Sequence, residues 1–468
     1  MIETINANCL DVLKETAANS QDLIFCDPPY ALGSDVIIRK DGKPDYRKAV
    51  DFMAKWQQPD GYFWEQWFNE AFRVLKYGGR VVMFGMDRQL MLNKYYACFA
   101  GFAEQQSLYW YTISGFPKAS DLAKQIDRNV GAEREILGAN PNSRPNCSGN
   151  NINTLNGKIT ESTLTTPATT LAQKYDGMKY SIAPLKQTNE TILVFQKPYK
   201  TGSCLHDTLA YENGDDTCMC GAVDVEGNRC ETSETEQLGR HNKVNTSNLR
   251  TWENENLKAI STNFDANGRY PAQTYCDDEA AKVLDRQSGN CGGHSVKTKK
   301  IYDAKAGTNT YGVQDRQVFS HNDTGGCSRI LHRCNYDLND YDIYMYCPKV
   351  SNKERNEGCG MLSEKQTVQF NANIGNLRSD GTVIKEAIAQ KNHHPTVKPI
   401  QLLKKIIQLF KTPNPLHVLD PFMGSGSMGI ACIELGVSYT GVELDAEYYT
   451  IAQTRLAHHN TKNNSKLF

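Results

Sequence analysis

Apolar and polar positions along the first hundred or so residues switch repeatedly between two periods. Asn8 to Ala17 carries apolar side chains at helical spacing, and Asp22 to Cys26 is the short apolar run of a buried strand. Phe63 to Leu75 returns to helical spacing, and Arg80 to Phe84 reads as a strand after the Gly78-Gly79 break. Strands and helices in turn are the grammar of an α/β fold. Farther along, the spacing predicts a helix from Ser120 to Leu137 and a strand from Glu190 to Phe195, ended by Pro198. Near the C-terminus the order returns: helix Ile400 to Phe410, strand Leu416 to Leu419, helix Ser427 to Leu435, strand Tyr439 to Val442 and helix Glu447 to His458. This is one βαβ unit with a helix on each side. Between these regions the order weakens. Asn140 to Thr170 and Thr201 to Asn256 are rich in Asn, Thr, Ser, Gly and acidic residues, bury little apolar surface, and read as loops or insertions.

Composition narrows the class without naming it. A chain of 468 residues is long enough for more than one folded unit, and 39% hydrophobic with 22% charged residues is the balance of an ordinary soluble protein. Met1 to Leu10 lacks the basic start and apolar run of an export signal, and no stretch approaches the roughly 18 apolar residues of a membrane span. A cytoplasmic placement with no membrane contact is therefore expected. Fifteen cysteines spread over a chain without an export signal are expected to be reduced thiols rather than a disulfide framework. A formal net charge of −1 does not by itself point to nucleic acid, although a local basic patch can coexist with an acidic remainder.

The candidate chemistry sits at two strand ends. Leu416 to Leu419 runs into Asp420-Pro421-Phe422-Met423-Gly424-Ser425-Gly426-Ser427, and a helix follows at once. Glycines at that position let backbone approach a ligand at a helix N-terminus. Gly424, Gly426 and Gly429 also spell the GxGxxG of dinucleotide sites, with Glu443 as the acid that would hold a ribose. The flanking residue tilts the choice. A pyrophosphate wants amide donors and no nearby anion, whereas S-adenosylmethionine carries an ammonium and a sulfonium, which suit a carboxylate at Asp420. The bland alternative is a glycine turn with no ligand. Upstream, His394-Pro395-Thr396-Val397-Lys398-Pro399 is a proline-stiffened entry to a helix, where Thr396 and Lys398 offer donors to a carboxylate or are simply solvated.

The strand Asp22 to Cys26 ends in Asp27-Pro28-Pro29-Tyr30. An exocyclic amino group on a base is a poor nucleophile because its lone pair is delocalised into the ring. Two acceptors on its two N–H bonds favour a pyramidal nitrogen and aim the lone pair at a methyl carbon. The Asp27 carboxylate supplies one acceptor and the Pro28 carbonyl the other, Pro29 helps to stiffen the turn, and Tyr30 offers a face on which a base swung out of a duplex can stack. The bland alternative is a strand-ending turn.

Taken together, the tetrapeptide at Asp27 to Tyr30, HPTVKP at His394 to Pro399 and DPFMGSGS at Asp420 to Ser427 resemble the amino-methyltransferases of DNA, in the permuted β-group order with the catalytic motif first, as in phage and bacterial members. The resemblance implies a Rossmann-like methyltransferase fold, doubly wound and mostly parallel, circularly permuted, with a large inserted target-recognition region. It implies a catalytic half over residues 1–200, an insertion over 201–390 and a cofactor half over 391–468. Asp420, Phe422, Gly424 and Gly426 would line the S-adenosylmethionine site, Glu443 would hold its ribose, and Thr396 and Lys398 its methionine end. Where the family often has Gly-Asp before Cys-Leu, this chain has Ala7-Asn8 before Cys9-Leu10, and Asn8 is expected to reach the cofactor's adenine. Asp as first residue of the tetrapeptide resembles the adenine N6 enzymes, with cytosine N4 left open. An RNA or protein-amide methyltransferase and a non-catalytic DNA-binding relative are the other readings. Double-stranded DNA is the implied partner, with a homodimer left open.

Target recognition is expected between the two halves, with Lys297, Lys299, Lys300, Arg316, Arg329 and Arg333 as candidate phosphate contacts or a plain solvated surface. Cys204, His206, Cys218, Cys220 and Cys230 lie close in sequence, but structural zinc usually draws on C-x₂₋₄-C pairs and only a CxC is present. No metal is expected.

Overall fold

The computed structural model describes residues 1–29, 36–46, 60–85, 87–112, 118–139, 163–229, 270–276, 278–289, 331–333, 350–366 and 389–464. They fall into two compact units, one from Met1–Asp224 with Cys334–Phe468, the other Val225–Arg333. Within the second, strand Thr274–Cys276 pairs in parallel with His332–Arg333, and helix Asp278–Ser288 buries Ala280 and Ala281.

The first unit is built on strands β1 (Ile2–Asn6), β2 (Gln21–Cys26), β3 (Leu75–Gly85), β4 (Leu108–Tyr111), β5 (Asn189–Gln196), β6 (His417–Asp420) and β7 (Ser438–Glu443). Their order across the sheet is β1-β7-β6-β2-β3-β5-β4. Strands β1, β7, β6, β2 and β3 are mutually parallel, and β5 runs against both β3 and β4. The permutation has a physical form here. Ile2 to Asn6 pairs with Tyr439 to Glu443, so the start of the chain completes the sheet around its C-terminal βαβ unit.

Helix α2 (Gly61–Val74) packs against both α1 (Cys9–Glu15) and α3 (Asp87–Ala100), and helix α5 (Ser427–Leu435) against both α4 (Ile400–Phe410) and α6 (Ala446–Asn464). Their sequences explain the packing. Helix α2 starts where the Asp60 side chain accepts from Phe63 N at 2.9 Å, and it buries Trp64, Trp67, Phe68, Ala71 and Val74 at three- and four-residue spacing. Alternate residues of β2 and β3, Ile24 with Cys26 and Val81 with Met83, join those side chains in one core. On the alternate positions of the same two strands, Phe25 and Phe84 stack with ring centroids 5.8 Å apart. Each such large apolar side chain contributes roughly 1.5–3 kcal/mol by leaving water. Among the described residues no helix is long and apolar enough to cross a membrane.

Three expectations from sequence change. The Gly78-Gly79 pair does not separate a helix from a strand. Strand β3 already begins at Leu75, and its pairing with β2 jumps from Gln21↔Leu75 to Leu23↔Arg80, so the glycines absorb a bulge, with Gly78 at φ +84°. The helix expected over Ser120 to Leu137 stops at Asn129. Gly131 adopts φ +66°, which ends the helix, and Ile136–Ala139 becomes a strand paired with Thr163–Thr165, inside a stretch read as loop. Part of the other expected loop is also ordered. Cys204–Glu212 is helical, because buried Asp207 gathers Lys200 N at 2.8 Å, Thr201 N at 2.9 Å and Thr201 Oγ1 at 2.6 Å.

Candidate active site

Strands β6 and β2 are parallel neighbours, with Val418 beside Leu23 and Leu419 beside Ile24. From β6 the chain crosses through α5 to β7 on one side; from β2 it crosses through α2 to β3 on the other. Crossovers that diverge in this way leave a crevice at the carboxyl ends of the two strands. Asp420 ends one strand and Asp27 follows the other, so residues far apart in sequence share one rim.

The turn after β2 is firmly held. Pro28 is buried, Asp27 and Pro29 are half-buried, and buried Gln89 donates from Nε2 to the Pro29 carbonyl at 3.1 Å. Tyr30 lies outside the described residues. The Asp27 carboxylate meets the Lys398 ammonium, with Nζ 2.5 Å from Oδ2. The same ammonium lies 3.7 Å from Glu190 Oε2 and 4.6 Å from the centre of the Phe84 ring. Glu190 is here because β5 runs backwards: its start, where Thr191 pairs with Gly85, lies at the carboxyl end of β3.

The turn after β6 is tied to β7. Met423 N donates to Val442 O at 2.9 Å, and Gly424 N to Glu443 Oε2 at 2.8 Å, while Glu443 Oε1 takes Asp445 N at 2.9 Å. Asp420 accepts from Phe422 N at 3.1 Å and from the Tyr439 hydroxyl at 3.3 Å. Gly424 at φ +56° and Gly426 at φ +80° occupy left-handed backbone, and a Cβ on Gly424 would stand 2.8 Å from His394 Nε2. Phe422 turns its ring toward Trp64 and Trp67, 6.1 and 6.0 Å between centroids, joining the turn to the α2 core. Asn8 caps α1, accepting from Leu10 N at 2.9 Å.

Segment 392–399 passes behind this turn. The His394 carbonyl accepts from Arg355 Nη1 at 2.6 Å, and Ile400 N donates to Glu354 at 2.8 Å. Thr396 is half-buried, and Val397, Lys398 and Pro399 are buried. Arg455, fully buried on α6, binds the glycine turn from beneath: Nη1 donates to Ser425 O at 2.6 Å, Ser425 Oγ at 3.1 Å and Ser427 Oγ at 3.3 Å.

The electrostatics of the rim follow from burial and neighbouring charge. Burial pushes Asp420 up to about 8, with the charges of Asp27 and Glu443 pushing further in the same direction. Burial also raises Glu443 to about 7. His394 is driven down to about 3 by burial and by the cations Arg355, Lys398 and Arg455, so it stays neutral. Two buried carboxyls that resist ionisation fit a ligand carrying positive charge and disfavour a pyrophosphate. A pH dependence follows. From about pH 4 up to about pH 8 the native Asp420 still binds a proton that the unfolded chain has released, so this group lowers stability as pH rises. Asp420→Asn is expected to lose part of the pH-dependent fall in melting temperature over that window; an unchanged slope would contradict the assignment.

Sequence reading did not find Glu190, Gln89, Tyr439 or Arg455 as site residues. Of the other candidates, Lys297, Lys299, Lys300, Arg316, Arg329 and Cys230 lie outside the described residues, as does the side chain of Arg333. Among the described residues no group of three or more His, Cys, Asp or Glu side chains is placed to hold a metal ion.

Comparison with known proteins adds the following. A family model described as DNA methylase, of the N6/N4 class, matches residues 21–454. YubD of Escherichia coli (strain K12), named as a methylase, is 48% identical over 65 residues, covering 14% of this chain and 28% of that protein. The DNA adenine methyltransferase YhdJ of the same organism is 42% identical over 64 residues, covering 14% of this chain and 21% of YhdJ. Among solved structures, that of the M1.HpyAVI–SAM complex aligns with 97% of this chain and 100% of its own, at 13% identity and a TM-score of 0.34.

Proposed function

Because the chain belongs to the N6/N4 DNA methylase family, whose methyl donor is S-adenosylmethionine, we propose that it methylates the exocyclic amino group of a base flipped from double-stranded DNA, adenine N6 in particular. The observation that carries this reading is the shared rim: the Asp27 turn and the Asp420–Glu443 pair stand at the carboxyl ends of adjacent parallel strands.

S-adenosylmethionine, when bound, supplies the electrophilic methyl group. The protein's part is orientation. Asp27 accepts one N–H of the target amine and the Pro28 carbonyl the other, which turns the nitrogen lone pair toward the methyl carbon. The new N–C bond would form as the S–CH3 bond breaks, the neutral thioether would leave, and the amine's surplus proton would pass by way of the Asp27 carboxylate to water. Gln89 and the buried Pro28 keep that pair of acceptors fixed. Asp420 and Glu443 favour the cationic cofactor, Glu443 keeping lone pairs for ribose hydroxyls, and Gly424, Gly426 and Phe422 leave room for it. Thr396 and Asn8 lie on the segments that flank this half of the cleft. No covalent enzyme intermediate is required, so no cysteine serves as nucleophile. Adenine over cytosine rests on the Asp27 tetrapeptide, and the relative YhdJ, named for adenine, agrees with it.

The 225–333 unit, with its basic residues, is the proposed site of sequence recognition, as in a restriction-modification or stand-alone methylase. Sequencing DNA from cells that express the protein, with detection of modified bases, tests the reading. The expected result is N6-methyladenine at one short recurring sequence; methyl marks on cytosine N4 would reassign the base, and no mark in any context would remove the function.

A further inference from the structure

Resting on the methyltransferase reading, we propose that Lys398 is a positioning residue for the base side of the cleft: it holds the Asp27 carboxylate, with Glu190 as the second anion, and does not serve the cofactor's methionine end. Three elements converge on its ammonium. The end of β2 brings Asp27 to 2.5 Å, the start of β5 brings Glu190 to 3.7 Å, and the end of β3 brings the Phe84 ring to 4.6 Å. The lysine side chain is 5% exposed, so solvent hardly competes for these partners. Its backbone has little freedom either: Pro399 is fixed at φ −64°, and the segment is pinned at His394 by Arg355 and at Ile400 by Glu354.

The charge balance gives the lysine its task. Asp27 and Glu190 both approach the Lys398 ammonium, at 2.5 and 3.7 Å, so its positive charge attracts each carboxylate and offsets their mutual repulsion. A carboxylate has about four lone-pair sites, so Asp27 can keep Lys398 on Oδ2 and still accept an N–H from the target amine. Lys398 therefore fixes the rotamer of Asp27 and keeps Glu190 from displacing it.

The test separates this role from cofactor binding. Wild type, Lys398→Met, Glu190→Gln and the double variant are compared by calorimetric titration with S-adenosylmethionine and by single-turnover transfer at saturating cofactor, with cooperative melting as the check of folding. Expected for Lys398→Met is cofactor affinity within about threefold of wild type and a transfer rate down roughly 10²-fold, of which Glu190→Gln recovers about tenfold by removing the opposed anion. On an Asp27→Asn background Lys398→Met is expected to cost less than about threefold, because the two act as a unit. A loss of more than about tenfold in cofactor affinity with a nearly unchanged saturated rate would overturn the proposal. The titration needs no turnover, so a wild type that methylates no DNA counts against the proposed function, whereas weakened cofactor binding in Lys398→Met counts against this assignment.

Discussion

Asp27→Ala is expected to slow methyl transfer by roughly 10²–10⁴-fold at saturating cofactor, with cofactor affinity within about threefold of the parent. The substitution removes one of the two acceptors that pyramidalise the target nitrogen and leaves the Pro28 carbonyl alone. The cofactor half of the rim, from Asp420 to Glu443, keeps its own hydrogen bonds to Phe422, Tyr439, Gly424 and Asp445. Removing one member of a buried ion pair also costs stability, so Asp27→Asn, which preserves shape, is the companion variant. Lys398 retains Glu190 at 3.7 Å in both, which limits that cost. Single-turnover kinetics beside a cofactor titration measures the split. A rate within about threefold of wild type for both variants would remove Asp27 from the chemistry.

The second large effect is expected far from the base. Arg455→Met should lower stability by about 1–3 kcal/mol and weaken cofactor binding, because it leaves neutral buried acceptors unpaired beneath the glycine turn. Arg455 Nη1 reaches Ser425 O, Ser425 Oγ and Ser427 Oγ, and Nη2 reaches the Glu354 carbonyl at 3.3 Å. One guanidinium thus joins the turn after β6 to helix Asn352–Asn356, which itself holds the segment leading to Lys398. Burial pulls this arginine down to about 10, which still leaves it charged at neutral pH. Chemical denaturation and calorimetry check the prediction. Wild-type stability in Arg455→Met would mean that the turn holds itself.

The parts of this arrangement written in local sequence were the ones legible in it. Helices α4 and α5 were read with the boundaries observed, since Ile400 to Phe410 carries an unbroken apolar stripe and Ser427 to Leu435 follows directly on the glycine turn. The two acidic strand ends were legible because Asp27 and Asp420 each follow a short apolar run. What could not be read was who meets whom. Lys398 and Asp27 are 371 residues apart, and only the order of β6 beside β2 brings them together. Glu190 looked like the first residue of an ordinary strand, and the reversed direction of β5 is what carries it to the rim. Arg455 sits in a helix whose sequence is largely polar, so nothing local marks it as fully buried. The ordered helix after Thr201 was missed for a related reason: Asp207 in its first turn reaches back to the amides of Lys200 and Thr201, and this polar tie, more than an apolar stripe, holds its start.

The most direct measurement is transfer of a labelled methyl group from S-adenosylmethionine to duplex DNA of mixed sequence, followed by digestion and identification of the labelled nucleoside. The account predicts label on N6-methyladenine with wild-type protein and its loss with Asp27→Ala. Wild-type protein that binds S-adenosylmethionine yet leaves no label on any DNA base would contradict it.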